Sequence, residues 1–335
     1  MNKILTVVVP TYNVEKYIEN CLDSFVIQEV LDKLEILVVN DGSKDRSEQL
    51  AKAYEQRYPR SFRVITKENG GHGSTINRGL AEASGKYFKV VDADDWVERD
   101  AFIRLVRCLE KADSDVVLTN YYWVSDRDGK KRAEFKEPFP GVIYEKEYLF
   151  SEISDQLFMK MHAVTMRTEM LKGKIPPIDE HCFYVDMEYV LFPVPLIRTV
   201  TCLDAFVYMY RIGLPGQSMN MKSMQRNEEN FERVFHRLLD FYDGQQKEGA
   251  PDRVMVYLEN TIGRMAASRF KIFLSFPYNR EIRERMQQFD RQLHEKYPKI
   301  YGAVRNRAVL LLRKTGYRAY FVAWMAFQMK ERVKR

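Results

Sequence analysis

Tyr87-Phe88-Lys89-Val90-Val91 is a run of strand length that ends abruptly in Asp92, Asp94 and Asp95, just before Trp96. Such a run reads as a buried parallel strand, and acidic side chains are retained at its end only where water or a cation reaches them. The chain must therefore carry the carboxyl end of that strand to an open edge. A hard divalent ion held by one or two carboxylates, with diphosphate oxygens completing its shell, suits this geometry. The alternative is that Asp92 to Asp95 form a turn and the N-cap of a helix beginning near Arg99.

The segments around this strand alternate between strand and helix patterns, which predicts parallel βαβ units. Strands are expected at Ile4–Val9, Leu34–Val39, Arg63–Thr66, Tyr87–Val91 and Asp115–Asn120. Between them lie helices with apolar faces at Tyr17, Ile18, Cys21, Leu22 and Phe25, at Leu50, Ala51 and Tyr54, and at Ile76, Leu80 and Ala83. Gly85 reads as the C-cap of the last of these. Ligands of open α/β sheets bind beyond the carboxyl ends of strands, so the loops after the first, second and fourth strands are where chemistry is expected.

Beyond Tyr121 the alternation is less regular. Asp128-Gly129 signals a hairpin between Tyr121–Ser125 and Arg132–Phe135. A helix is expected over Lys146–Leu157, a strand at Ala163–Arg167, a helix near Tyr184–Phe192, and two strands at Thr199–Leu203 and Phe206–Tyr210. From Met224 the pattern is helical: Phe231, Val234, Phe235, Leu238 and Tyr242 share a face that Asp243-Gly244 is expected to break. Further stripes at Val254, Leu258, Ile262 and Met265, and at Ile282, Met286, Phe289 and Leu293, read as bundle packing.

The 335 residues leave room for one α/β domain with a helical appendage. No uncharged apolar run is long enough to span a bilayer. Cys21, Cys108, Cys182 and Cys202 fit neither a zinc site nor a disulfide framework, and Ile4–Val9 is too short for a signal-peptide core, so a reducing cytoplasm is the expected home. The net charge of +6 resides in the tail: from Arg305 to Arg335, nine Lys and Arg face the single acid Glu331.

Three segments join the acidic tip as candidate functional elements. Pro10-Thr11-Tyr12-Asn13 stops the first strand and displays the Tyr12 ring where a nucleobase can stack. Asn40-Asp41-Gly42-Ser43 sets Asp41 in a tight turn, either as an acceptor for a base imide or ribose hydroxyl or as a simple Asx turn. Glu68-Asn69-Gly70-Gly71-His72-Gly73-Ser74 is a glycine-rich loop whose amides can approach a phosphate or sugar. It has neither the dinucleotide-binding spacing nor the P-loop Lys and Ser/Thr, so dehydrogenase and P-loop kinase readings lose support.

In this order and spacing, these segments resemble the family 2 glycosyltransferases of bacterial cell-surface polysaccharide synthesis. The resemblance implies an A-type glycosyltransferase fold, an α/β architecture with a Rossmann-like, mostly parallel sheet and flanking helices, here followed by a C-terminal helical region. It implies a donor- and acceptor-binding domain over residues 1–220 and a helical region over 221–335. The implied activity is metal-dependent, inverting transfer from a nucleoside diphosphate sugar, uridine by resemblance, to a saccharide or lipid-linked acceptor. Pro10, Thr11 and Tyr12 match the nucleobase-contacting turn, Asp41 the base-binding acid, and Gly71 belongs to the glycine-rich loop. Asp92, Ala93 and Asp94 match the Asp-x-Asp motif, with Asp94 the principal ligand of Mn2+ or Mg2+, Asp92 on ribose or metal, and Asp95 assisting.

An inverting transfer needs a base, and the matching segment is Phe183-Tyr184-Val185-Asp186-Met187-Glu188. Asp186 is the chosen residue; Val185 replaces a usual Glu, and Glu188, Glu180 and His181 are fallbacks. Arg211, in Tyr208-Met209-Tyr210-Arg211, either neutralises the leaving diphosphate or is a surface arginine after a strand. Gln217 and Ser218 are weaker candidates of the same segment. The chain departs from the family at Thr75-Ile76-Asn77, where many relatives carry Ala-Arg-Asn, so Arg78 or another cation must substitute, or the donor is held differently.

In the tail, Arg313, Lys314 and Arg318 mix with Leu310, Leu311, Leu312, Tyr317, Tyr320, Phe321, Trp324 and Phe327, interrupted by Gly316. This is either a helix for an anionic membrane interface, on the inner face of the cell membrane, or a packing element with solvated charges. No nucleic-acid-binding motif accompanies it, and no nucleic acid is expected as a partner. Two function classes remain: the transferase, and a catalytically inactive nucleotide-binding scaffold recruited to a membrane assembly. A nucleotidyltransferase is disfavoured because Pro10–Asn13 lacks a Gly-rich, basic loop.

Overall fold

The computed structural model describes residues 3–134, 139–214 and 221–333, with side chains to residue 330. The chain divides into two compact units, Met1–Pro215 and Gly216–Arg335. In the first, β1 (Leu5–Thr11), β2 (Leu34–Asn40), β3 (Phe62–Thr66) and β4 (Tyr87–Val90) are joined through α1 (Ile18–Asp23), α2 (Ser47–Arg57) and α3 (His72–Glu82). These four strands pair in parallel, β1 against both β2 and β4, and β2 against β3. Every residue of β1 and β4 is buried, as apolar runs covered on both faces require.

Register aligns the strand ends. Thr11 lies opposite Asn40, which lies opposite Thr66, and Val8 lies opposite Val90. Tyr12, Asp41, Lys67 and Asp92 therefore follow their strands out of one edge of the sheet. Two glycines permit this packing: a Cβ at Gly79 on α3 would lie 2.3 Å from Val8 Cγ2, and one at Gly85 would lie 2.5 Å from the Thr6 amide nitrogen. Gly85 is thus a close-approach residue against β1 and not the cap of α3, which ends at Glu82 with Ala83 as its cap.

After β5 (Trp96–Val97) and α4 (Arg99–Lys111) come β6 (Val116–Ser125), β7 (Lys131–Ala133), β8 (Glu147–Leu149), α5 (Phe150–Ile153), β9 (Val164–Arg167), α6 (Thr168–Leu171), α7 (Asp186–Leu191) and β10 (Thr199–Ile212). The sheet order is β3-β2-β1-β4-β9-β6-β10-β5, with β7 beside β6 and β8 beside β10. Strand β9 runs antiparallel to both β4 and β6. The expected hairpin forms as β6 and β7, although Phe135 lies outside the described residues.

Two expectations are corrected here. Lys146–Leu157 is not one helix, because β8 pairs with β10 and leaves only the single turn α5. The two strands expected at 199–210 are one strand, bulged where Cys202 faces Leu118 but Phe206 faces Asn120. Extra residues at the bulge rotate the downstream side chains, and this helps bring Tyr208 and Arg211 to the acidic loop.

The second unit contains α8 (Met221–Arg226), α9 (Glu228–Lys247), α10 (Asp252–Ser275), α11 (Arg280–Lys296), α12 (Pro298–Ala303), α13 (Arg307–Lys314) and α14 (Tyr320–Val333). Phe231, Val234, Phe235, Leu238 and Tyr242 are buried as one face of α9, but the helix continues through Gly244 to Lys247 where a break was expected. A helix this long tolerates the cost of one interior glycine. The tail divides its side chains: Val309, Leu312, Tyr317 and Tyr320 are buried, and Arg313 holds Asp290 at 2.7 Å. Phe321, Val322, Met325 and Met329 stay exposed at spacings that share one face of α14.

Candidate active site

The acidic loop is not the cap of the following helix: Glu98 caps α4, accepting the Ala101 N–H at 2.7 Å. Instead the loop is locked from β10. The Tyr208 hydroxyl donates to Asp95 Oδ2 at 2.6 Å and accepts the Asp92 N–H at 3.1 Å, while the Arg211 N–H donates to Asp95 Oδ1 at 2.6 Å. Asp95 is fully buried. Burial first, then the charges of Asp94 and Asp92, push its carboxyl well above the usual range. Asp94 is half-buried, and its carboxyl is pushed up to about 6 by burial and by the charge of Asp92.

Asp92 pairs with His72 Nε2 at 2.7 Å, at the first residue of α3. Burial opposes ionisation of Asp92, but the charge and hydrogen bond of His72 outweigh it and hold the carboxyl low. Burial likewise works against the imidazolium, and Asp92 raises the His72 pKa in net. Ligand atoms of Asp92, Asp95 and His162 lie within 4.8 Å of one another. His162 packs among Tyr121, Tyr208 and Tyr210, edge-on to Tyr208, with ring centroids 4.4–5.0 Å away, and its buried Nδ1 has no hydrogen-bond partner among the described residues. Burial lowers its pKa to about 4, so the ring is neutral and able to ligate.

This donor set fits a divalent cation. The mutual repulsion of Asp92, Asp94 and Asp95, beside one imidazole nitrogen without a partner among the described residues, is what a cation would relieve. Asp95 is the exception, because both its oxygens already accept from Tyr208 and Arg211. Arg211 is no detached surface residue. Its Nε donates to the Asp94 carbonyl at 2.7 Å, its Nη1 to Asp126 at 3.0 Å, and its guanidinium lies 4.7 Å from the Trp96 ring centroid and 5.1 Å from that of Tyr17.

At the other end of the edge, Tyr12 is 48% exposed. Its loop is tied down by Asn13, which sits at φ 52° and accepts the Lys44 N–H at 2.8 Å while donating its own N–H to Ser43. Pro10, Thr11 and Ala93 are buried beneath. Asp41 is buried as well, and its carboxylate is occupied: Oδ1 accepts from Lys67 Nζ at 2.8 Å and the Gly70 N–H at 2.9 Å, and Oδ2 from Asn69 Nδ2 at 3.0 Å and the Gly71 N–H at 2.8 Å. The sequence leaves the amides of the glycine-rich loop able to approach a phosphate or sugar; Gly70 and Gly71 donate theirs to Asp41. Gly71 needs its missing side chain for φ 82°.

Asp186 is the first residue of α7, half-buried, and within reach of the charges of both His72 and Asp92. Burial raises its pKa despite the opposing pull of His72. Among the fallback residues, Glu188 is buried and accepts the Asp179 N–H at 2.7 Å, which fixes it as a support for the loop before α7. Glu180 lies 3.4 Å from Asn77 Nδ2, and His181 is exposed. Arg78 pairs with Glu82 along α3, whereas Lys67 pairs with Asp41, His72 with Asp92, and Arg211 donates to the Asp94 carbonyl. Gln217 and Ser218 lie outside the described residues.

The profile of the family described as "Glycosyl transferase family 2" matches residues 6–174. EpsJ of Bacillus subtilis (strain 168), described as an uncharacterized glycosyltransferase, is 41% identical over 260 residues, 75% of this chain and 73% of that one. The chain belongs to glycosyl transferase family 2. Glycosyltransferase GlyA of Streptococcus pneumoniae serotype 4 (strain ATCC BAA-334 / TIGR4) is 39% identical over 218 residues, which are 62% of this chain and 30% of GlyA. The fold is that of Staphylococcus aureus TarS 1–349, solved in complex with UDP-GlcNAc, at TM-score 0.60 and 19% identity over 93% of this chain and 92% of that one.

In this glycosyltransferase the sequence reading assigned no role to His72, His162, Tyr208 or Lys67. His72 and Tyr208 each stand inside a segment the sequence marks, the glycine-rich loop and Tyr208-Met209-Tyr210-Arg211, whereas His162 and Lys67 do not. Partners such as Tyr208 and Asp95 lie 113 residues apart, so no local spacing could reveal them.

Proposed function

We propose that this chain transfers a sugar from a uridine diphosphate sugar to a saccharide or lipid-linked acceptor in cell-surface polysaccharide synthesis, with inversion at the anomeric carbon. The observation that carries the reading is the convergence, on one sheet edge, of the Asp92–Asp95 cluster, Arg211 and the raised carboxyl of Asp186. The shared fold with a protein solved in complex with UDP-GlcNAc supports the donor class.

In this reading Tyr12 stacks on the base above Pro10 and Thr11, and Asp41 and Gly71 shape the pocket wall beside it. Asp94 and Asp92 would hold Mn2+ or Mg2+, with Ala93 between them. The ion would neutralise charge developing on the departing diphosphate. Arg211 adds fixed positive charge beside the same loop. Asp186 accepts the proton of the acceptor hydroxyl as that oxygen bonds to the anomeric carbon. The bond from that carbon to the diphosphate oxygen breaks, and the nucleoside diphosphate leaves with the electron pair. A carboxyl whose pKa is raised is the better matched base.

Calorimetry of UDP with Mn2+ present tests the donor site. Micromolar binding that disappears without the ion or in Asp94→Ala supports the transferase; no nucleotide binding under any condition removes it.

The finer assignment of place rests on the tail. We propose peripheral attachment to the inner face of the cell membrane through the exposed face of α14, Phe321, Val322, Met325 and Met329, flanked by Lys314, Arg318 and Lys330. No helix among the described residues is long and apolar enough to cross a membrane. Flotation with anionic liposomes is the measurement: Phe321→Ser with Met325→Ser must weaken it, and equal flotation rejects the assignment.

A further inference from the structure

The glycine-rich loop and the segment that leads into Asp186 are clasped together by one side chain. Asn77, on α3, donates from Nδ2 to the Ile178 carbonyl at 2.8 Å and accepts the Ile178 N–H at Oδ1, also at 2.8 Å. An amide paired with both polar groups of one residue fixes orientation as well as distance. Beside this clasp the His181 N–H donates to the Gly70 carbonyl at 2.5 Å. Glu188 accepts the Asp179 N–H at 2.7 Å.

The loop is shaped to admit the segment. A Cβ at Gly73 would stand 2.0 Å from the Asp179 carbonyl oxygen, and one at Gly71 would stand 3.2 Å from the His181 nitrogen. The segment is also held in an uncommon conformation, with His181 at φ 50° and Tyr184 at φ 67°. Left-handed conformations at residues other than glycine persist where surrounding contacts over-determine them, and they concentrate at functional sites. Asp186 follows Tyr184 by two residues. The same loop is bound to Asp41 through the N–H groups of Gly70 and Gly71.

We propose that Asn77 is a positioning residue: it holds Ile178–Tyr184, and through that segment Asp186, against the glycine-rich loop, so that the nucleotide edge and the base are set by one connected piece of backbone. The inference rests on Asp186 being the base and identifies what places it. It also gives a function to the segment Thr75-Ile76-Asn77, which the donor site left without one.

The test is hydrogen exchange by mass spectrometry on the full chain, parent against Asn77→Ala, with UDP and Mn2+ as probes. Amides of residues 178–184 should exchange at least tenfold faster in Asn77→Ala, while peptides from β4 and α4 are unchanged and UDP affinity stays within threefold. Release of UDP from UDP-GlcNAc, with water as acceptor, should lose at least tenfold in kcat with KM within threefold. Asn77→Asp retains the acceptor for the Ile178 N–H but sets a carboxylate oxygen against the Ile178 carbonyl and the Glu180 carboxylate, so it should be impaired at least as much as Ala in both measurements. Unchanged exchange at 178–184, or faster exchange throughout the first unit, overturns the proposal. Failure of UDP to bind the parent would count against the donor reading alone, because the exchange difference is measured equally well without nucleotide.

Discussion

The hydroxyl of Tyr208 bridges the two ends of the acidic loop, donating to Asp95 Oδ2 at 2.6 Å and accepting the Asp92 N–H at 3.1 Å. Both partners belong to a buried turn in which Asp95 N–H also closes on the Asp92 carbonyl at 3.0 Å. Removing the hydroxyl leaves a buried carboxylate short of a donor. Tyr208→Phe should therefore lower unfolding free energy by about 1.5–3 kcal/mol, read by urea denaturation, and should weaken Mn2+-dependent UDP binding as the loop loosens.

Asp94 and Asp95 should separate cleanly. Asp94→Ala removes a carboxyl that its neighbours already push up to about 6, so the ion-free protein should keep or gain thermal stability while UDP affinity with Mn2+ falls at least tenfold. Asp95→Ala strands the Tyr208 hydroxyl and the Arg211 N–H, and it should cost about 2–4 kcal/mol before any ligand is added. Differential scanning calorimetry and UDP titration of the two variants decide the matter.

Asp41 organises the glycine-rich loop. Asp41→Ala should destabilise the free protein by about 3 kcal/mol in urea, because the buried Gly70 N–H loses its acceptor at 2.9 Å and Lys67 loses its counter-charge at 2.8 Å. A variant as stable as the parent would mean that the carboxylate serves the ligand alone.

Lys89 gives the first unit a pH dependence. It is fully buried in β4, donating to the carbonyls of His162 at 2.9 Å and Val164 at 3.2 Å, and burial lowers its pKa to about 7. Between pH 7 and the unfolded lysine value near 10.4 the unfolded chain holds a proton that the folded one lacks, so stability rises with pH, by at most about 1.4 kcal/mol per unit. Below pH 7 the contribution is constant and unfavourable. Urea denaturation at pH 7 and pH 9.5 should show this rise, and Lys89→Met should flatten it.

The strand that carries Lys89 was legible in the sequence despite the charge, since its neighbours are apolar and its end is marked by acids. The same local logic located β1, β2, β3, α3, α4 and the long helices of the second unit. It failed where one element answers to a distant one. Lys146–Leu157 has helical composition, yet β10 recruits Glu147–Leu149 as an edge strand.

What the sequence by itself determined is the set of segments and the edge at which they end, because burial periodicity and strand-terminating acids are properties of neighbouring residues. Only the tertiary structure decided that β9 runs antiparallel between β4 and β6, that a bulge in β10 helps bring Tyr208 and Arg211 to the acids, and that Asn77 holds Ile178 across 101 residues. Strand direction, register shifts and side-chain pairing are settled by contacts between remote parts of the chain, and the local pattern of hydrophobicity is nearly the same for every alternative.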